Sequence, residues 1–194
     1  MAEKKNRVVL SRIYTRTGDD GTTALGDMTR TSKNDPRLVA YADVDEANAS
    51  IGAAIALGDL DQDMRDLLAH IQNELFDAGA DLARPARDDT PALRITEDYV
   101  QRLEEACDEW NEPLETLRSF VLSGGTKGAA LLHVSRTITR RAERSAWAAV
   151  ESDPETTSVM PAKYLNRLSD LLFILARRAS GDAGDILWIP GGQR

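Results

Sequence analysis

Pro161-Ala162-Lys163-Tyr164-Leu165-Asn166-Arg167-Leu168-Ser169-Asp170-Leu171-Leu172-Phe173-Ile174-Leu175-Ala176-Arg177-Arg178-Ala179-Ser180-Gly181 is the stretch on which the fold turns. Leu165, Leu168, Leu171, Leu172 and Leu175 recur at three- and four-residue steps, the repeat of one face of an α-helix. Proline is tolerated in the first helical turn and glycine commonly follows the last, so the pattern predicts a helix from Pro161 to about Ser180, stopped by Gly181. A stripe confined to one face needs other helices to cover it.

The remaining prolines supply the punctuation, because Pro36, Pro85, Pro91, Pro113, Pro154 and Pro190 fall outside the segments with the same periodicity. A first helix follows the cap pair Asp35-Pro36, carries Leu38, Tyr41, Val44, Ala47, Ile51 and Ile55 on one side, and ends near Gly58. A second runs from about Asp61 to Ala83 with Met64, Leu67, Leu68, Ile71, Leu75, Phe76 and Leu82 as its stripe. A third starts at the cap Thr96 and the acids Glu97 and Asp98, and contains Val100, Leu103, Cys107 and Trp110. A fourth begins near Lys127 or Gly128 and reaches about Glu151, with Leu131, Val134, Ile138, Ala142, Ser145 and Ala149 on its predicted inner face. No segment reads as a sheet; Val8-Val9-Leu10 and Ile186-Leu187-Trp188-Ile189 offer only isolated extended pieces. The expectation is an all-α, five-helix antiparallel bundle with short irregular termini, one domain spanning residues 1–194.

Composition narrows the partners. The 194-residue chain is long enough for one substantial core, and its net charge of −8 argues against nucleic acid, which is held by basic surfaces. Cys107 is the single cysteine, so no disulfide within the chain and no thiolate metal cluster is expected, in keeping with a reducing compartment. Met1 to Arg12 lacks the apolar core of a signal peptide, and no run approaches the ~20 apolar residues of a membrane span; a cytoplasmic protein is expected.

Against this acidic background two stretches stand out. Tyr14-Thr15-Arg16-Thr17-Gly18-Asp19-Asp20-Gly21-Thr22-Thr23 combines permissive glycines, four hydroxyls and a guanidinium, and reads as a polyphosphate cradle. It is not a P-loop, since Gly26 is followed by Asp27 and Met28 rather than Lys-Ser/Thr, and Gly-Asp-Asp-Gly is also ordinary turn chemistry. Lys33 stands near it. On the fourth helix Arg136, Arg140 and Glu143 fall at i, i+4 and i+7, with Arg141 and Arg144 beside them. This is either a solvated face or the wall of a site for a polyanion or a partner carboxylate, which guanidinium forks suit. Asp43, Asp45 and Glu46 are candidate carboxylates. Asn166 and Asp170 flank the leucine stripe where a ribose or base edge could be read. Phe120-Val121-Leu122-Ser123-Gly124-Gly125-Thr126 leads an apolar anchor into a glycine turn. His70 and His133 are isolated and read as structural.

Taken in order, these pieces resemble the PduO-type ATP:cob(I)alamin adenosyltransferases: Tyr14 to Gly21, Lys33-Asn34-Asp35-Pro36-Arg37, Val44-Asp45-Glu46-Ala47-Asn48, Phe120 to Thr126, Arg136 through Arg144, and Tyr164 to Asp170. The resemblance covers nearly the whole chain. It implies a homotrimer with ATP and the corrinoid bound between subunits. Thr15, Arg16, Thr17, Gly18, Thr23 and Lys33 would hold the triphosphate from one subunit, and Arg140, Arg141, Glu143, Arg144 and Asn166 would complete the nucleotide site from the other. It further implies an Asp45–Arg136 pair across the interface, a Phe120 ring packed beneath the corrin that excludes the lower axial base, and hydrated magnesium on the phosphates. A cobalamin reductase and a cobalamin-dependent acceptor enzyme are the implied partners. Two positions depart from the pattern: Arg16 stands where lysine is frequent, and Ser123 where proline is common. The first changes the geometry of phosphate contact, and the second removes a ring that would stiffen the loop after Phe120. The rival readings are an adenosylcobalamin-carrying chaperone and an ATP-binding assembly bundle without corrinoid.

Overall fold

The structure, a computed structural model, describes residues 13–86 and 91–193. Five helices carry it: α1 (Pro36–Leu57), α2 (Gln62–Ala83), α3 (Glu97–Asn111), α4 (Lys127–Ser152) and α5 (Met160–Ser180). Their ends obey the cap chemistry read from the sequence. Asp35 accepts from the Arg37 N–H at 2.9 Å, Asp61 from Met64 at 2.8 Å and Thr126 from Ala129 at 3.2 Å. Thr96 precedes α3 without a side-chain cap bond.

Cross-helix contacts give the order around the bundle. Asn48 with Gln72 sets α1 against α2, Glu46 with Arg141 sets α1 against α4, and Asn166 with Glu143 sets α4 against α5, each pair antiparallel. Helix α3 closes the ring between α2 and α5 through Tyr99 to Asp77 and Arg167 to Glu104. An odd ring cannot alternate throughout, and the parallel neighbours fall at α3 and α5, where Tyr99 faces Tyr164 and Glu104 meets Arg167. At one end, a side-chain carbon added to Gly128 would lie 2.7 Å from the Gly58 carbonyl oxygen. Glycine at that point lets the backbones at the end of α1 and the start of α4 touch.

Leu165, Leu168, Leu171, Leu172 and Leu175 are all fully buried, as their spacing predicts. They pack with Ile51, Met64, Leu68, Ile71, Leu75 and Leu132 into one core. Its central polar group is Glu74, which accepts from the buried Tyr164 hydroxyl at 2.9 Å and from Arg102 at 2.7 and 3.1 Å. Burial, with the Glu74 charge, pushes the Tyr164 hydroxyl well above its ordinary pKa.

Helix α4 is rotated from its predicted phase. Val134 is 52 % exposed, and the buried face is Ala129, Leu132, Ser135, Thr139, Ala142, Ala146 and Ala149. The reason is position: α4 lies between α1 and α5, and small side chains permit close approach on both sides. Phe76, expected in the stripe of α2, is 70 % exposed instead.

The other difference lies ahead of α1, where residues expected to be irregular form two short antiparallel strands, β1 (Thr22–Ala24) and β2 (Arg30–Ser32). The Ile186–Ile189 run contributes an isolated bridge, Leu187 to Val121. Val8-Val9-Leu10 and the Met1–Arg12 segment lie outside the described residues.

Candidate active site

The hairpin gives the glycine-threonine loop its shape. Thr23 pairs with Thr31, and the Lys33 N–H donates to the Gly21 carbonyl at 2.9 Å, so Lys33 returns to the loop it follows in sequence. A side-chain carbon on Gly18 would sit 3.0 Å from Lys33 Nζ. Glycine therefore lets the ammonium lie directly over the loop backbone. Gly21 has φ +80°, natural for glycine, and Arg16 adopts φ 62°, a left-handed conformation costing a non-glycine residue about 1–2 kcal/mol. The Arg16 guanidinium packs 5.7 Å from the Tyr14 ring centre. Thr15 and Thr17 share a hydroxyl hydrogen bond of 2.9 Å. Arg30 holds the loop from behind, donating to the Thr17 carbonyl at 2.8 Å and to the Thr22 hydroxyl, and its guanidinium lies 3.5 Å from the Asp20 carboxylate. Hydrogen bonds from Thr22 hold the Asp20 carboxyl below its ordinary pKa.

The hairpin is mounted on a buried arginine. Arg37, only 4 % exposed, donates to the Leu82 carbonyl at 2.9 Å and to Thr156 and Thr157 at 3.0 and 2.6 Å, and lies 3.4 Å from Asp153. One guanidinium thus joins the start of α1, the end of α2 and the α4–α5 connection.

On α4, Arg136, Thr137, Arg140, Arg141, Glu143 and Arg144 line a cavity of about 380 Å³. Arg140 and Arg144 are exposed and make no hydrogen bond or ion pair among the described residues. Asn166 donates to Glu143 at 2.9 Å, which brings α5 to the rim. Arg141 is already engaged: it binds Glu46 and lies 3.8 Å from Asp43, whose other oxygen accepts from Ser145 at 2.5 Å. Arg136 reaches the opposite way, to Ser123 at 3.3 Å, with its guanidinium 5.9 Å from the Phe173 ring centre. Burial, then the neighbouring Arg140 charge, lowers its pKa.

Beyond Arg136 the surface becomes apolar. Phe120 is 77 % exposed, packed edge-on against Trp188 at 6.1 Å. Arg118, Ser119, Phe120, Trp188 and Pro190 line a cavity of about 540 Å³ there. Leu122, Ile186, Leu187 and Ile189 extend the exposed apolar surface.

Residues 13–179 match the cobalamin adenosyltransferase family. The chain belongs to that family. It is 64 % identical over 189 residues to a corrinoid adenosyltransferase of Mycobacterium tuberculosis, covering 96 % of this chain and 97 % of the relative. A corrinoid adenosyltransferase of Bacillus subtilis is 41 % identical over 176 residues, covering 89 % of each. Among solved structures, a phenylalanine-to-alanine variant of the PduO-type ATP:corrinoid adenosyltransferase from Lactobacillus reuteri, complexed with cobalamin and ATP, superposes with a TM-score of 0.83 at 36 % identity, covering 92 % of this chain and all of that one. An arginine-to-lysine variant of the same enzyme complexed with ATP gives 0.81 at 37 % identity, covering 92 % of this chain and all of that one.

Within this member of the family, the fold brings together Thr15, Thr17, Gly18 and Lys33, and separately Arg140, Arg144, Glu143 and Asn166. It does not join the two groups. No hydrogen bond or ion pair among the described residues links the loop to Arg136–Arg144, and along α4 Arg144 stands about 13 Å of helix rise from Asp153, beside the hairpin's base. Nor does Asp45 meet Arg136. Asp45 lies at an apolar groove of about 490 Å³ between α1 and α2, lined by Tyr41, Val44, Asn48, Leu75 and Phe76. Sequence reasoning passed over Arg30, whose role depends on a hairpin that nothing in the local pattern announces. It also left Trp188 without a role; a Trp in an apolar run near the C-terminus was the available signal.

Proposed function

We infer that this chain transfers the 5′-deoxyadenosyl group of ATP to cob(I)alamin. The observation that carries this reading is that Arg136, on the helix face that bears Arg140 and Arg144, two exposed cations without an ion pair among the described residues, donates to Ser123 in the segment that carries the exposed Phe120 ring. Cobalt(I) attacks the 5′ carbon, the carbon–oxygen bond breaks, and triphosphate departs with the bonding electrons. The nucleophile is the substrate itself, so the protein's work is to align the reactants and stabilise charge growing on the leaving group. Lys33, Thr15, Arg16, Thr17, Gly18 and Thr23 suit the triphosphate, and Arg140 and Arg144 suit its developing charge. Arg141, bound to Glu46, fixes the helix face rather than reaching for phosphate, while Glu143 and Asn166 form the polar edge for the nucleoside. Phe120 excludes the lower axial base from cobalt, which eases reduction of cobalt(II). A chaperone for finished adenosylcobalamin has no use for a triphosphate site, so that alternative is not favoured.

We propose a homotrimer in which the loop of one subunit faces the arginines of the next. The separation of the two groups within one chain supports it, as does the placement of Asp45 on an apolar groove that Arg136 of another copy could close. Among the described residues no group of three or more His, Cys, Asp or Glu side chains is placed to hold a metal ion. In this reading magnesium enters as the hydrated counter-ion of the ATP phosphates. A reductase that delivers cobalt(I) and a cobalamin-dependent acceptor are the partners the chemistry requires, in the cytoplasm. Cys107 takes no part; burial, with the Asp170 charge, pushes its thiol up to about 11.

The test is direct: incubation with ATP and chemically reduced cobalamin yields adenosylcobalamin and an equal amount of triphosphate. No product from the unmodified protein would overturn the assignment. Light scattering should give three chains per particle, and a double-mutant cycle on Arg136→Ala and Asp45→Ala a coupling of about 0.5–3 kcal/mol; additivity or a monomer would remove the interface.

A further inference from the structure

Phe120 is exposed, yet the wall that bears it is anchored from below. The segment before it and the chain's C-terminal segment run side by side: Trp188 N–H donates to the Phe120 carbonyl at 2.8 Å, Leu122 N–H to Ile186 at 2.7 Å, and the Ser119 hydroxyl to Trp188 at 3.1 Å. This two-stranded wall is otherwise only an isolated bridge, which is marginal on its own. Arg177, in the last turn of α5, joins both of its members to the bundle. Its Nε donates to Asp185 at 2.8 Å, at the root of the C-terminal segment, and its Nη2 donates to the Glu115 carbonyl at 2.8 Å, on the way to Phe120.

The pair is largely buried, with side-chain exposures of 8 % and 15 %. Asp185 Oδ1 is buried with no partner, and so are His133 Nδ1 and Arg136 Nε close by. Asp185 is near enough to His133 to act on its protonation. With one oxygen unpaired, the Asp185 carboxylate depends on Arg177 for compensation, so losing either partner leaves a charge stranded in the interior.

We propose that Arg177 and Asp185 are positioning residues for the corrinoid face: they touch no substrate, and they fix the Phe120 ring and its Trp188 backing at the height where the ring displaces cobalt's lower ligand. This rests on the adenosyltransferase reading above. An apolar ring acts by shape, and a wall free to shift by an ångström loses the displacement while leaving the nucleotide half, built on the hairpin and α4, as it was.

The experiment compares the unmodified protein with Asp185→Asn and, should that variant fold poorly, Arg177→Lys, which retains charge but surrenders the second donor to Glu115. Each is assayed from cobalt(II) with a reductant and from pre-reduced cobalt(I). The variants are expected to lose roughly tenfold or more in the cobalt(II) assay, to stay within about twofold in the cobalt(I) assay and in KM for ATP, and to lose the four-coordinate cobalt(II) resonance in proportion. A merely structural role would lower both assays together through loss of folded protein, and that result overturns the proposal, as does full activity in both. Absence of product from the unmodified protein overturns the assigned function, and this inference with it; normal wild-type turnover beside unaffected variants overturns the positioning role alone.

Discussion

The two halves of the proposed site, one for the nucleotide and one for the corrinoid, are held in opposite ways. The nucleotide half is polar and locally braced: Thr22 and Arg30 tie the loop to itself, and Lys33 lies across Gly18, while Arg140 and Arg144 point no charge at any described partner. The corrinoid half is apolar and exposed, yet is pinned through backbone pairing and one buried ion pair. The difference suits what each is proposed to recognise. Charge acts over several ångströms and tolerates small displacement, whereas a gap of about an ångström already forfeits up to roughly half of a packing contact, so the apolar wall needs the firmer mount.

That contrast breaks most sharply at Arg140. Arg140→Ala, with Lys33→Ala beside it, should lower kcat/KM for ATP by about 10²–10³, the scale of removing a charge-stabilising donor from a transition state. Both side chains are exposed, so circular dichroism should stay unchanged; near-normal kinetics in both variants would take these residues out of the reaction. Phe120→Ala should act on the other half alone, with a loss of roughly tenfold or more from cobalt(II), little from cobalt(I), and KM for ATP retained. Persistence of the four-coordinate resonance at full strength would make Phe120 a packing residue.

The smallest effect lies underneath, at His133. Burial, then Arg136, holds its pKa below the ordinary 6.5, with Asp185 pulling the other way. As pH falls below that value, the unfolded chain takes up a proton that the folded chain resists, so stability drops; above it the ring is neutral in both states and contributes no slope. His133→Asn should therefore flatten the fall in urea midpoint between about pH 7 and pH 5. An unchanged slope would assign that fall to carboxylates instead.

Much of this arrangement was legible before the structure. Asp35-Pro36 and Gly58 bounded α1 because capping is local chemistry, and the α5 leucines declared their face because bulky aliphatic side chains occur at one spacing only. Helix α4 was misphased because its buried face, apart from Leu132 and His133, is glycine, alanine, serine and threonine, which carry little hydrophobic signal; Val134 outweighed them in the pattern and lies outside. The site divided likewise. Lys33 and the glycine loop are sequence neighbours and their pattern joins them, whereas Arg177 and Asp185 straddle a helix stop, and no local pattern connects charges on its two sides. The hairpin escaped notice because strands of three residues show no alternation to read.

Asp35 stands where the hairpin meets the bundle. One oxygen accepts from Thr31 at 2.7 Å and the other caps α1, two residues before Arg37 ties that helix to the end of α2 and to the α4–α5 connection. The arrangement is a boom stepped on a fixed mast: the loop from Thr15 to Gly21 is carried out from the bundle on a footing that the helices behind hold fixed. The corrinoid wall has its own footing on α5. Within one chain the two footings share no residue, and in the proposed trimer what brings a loop into step with its neighbour's wall is the pair of molecules held between them.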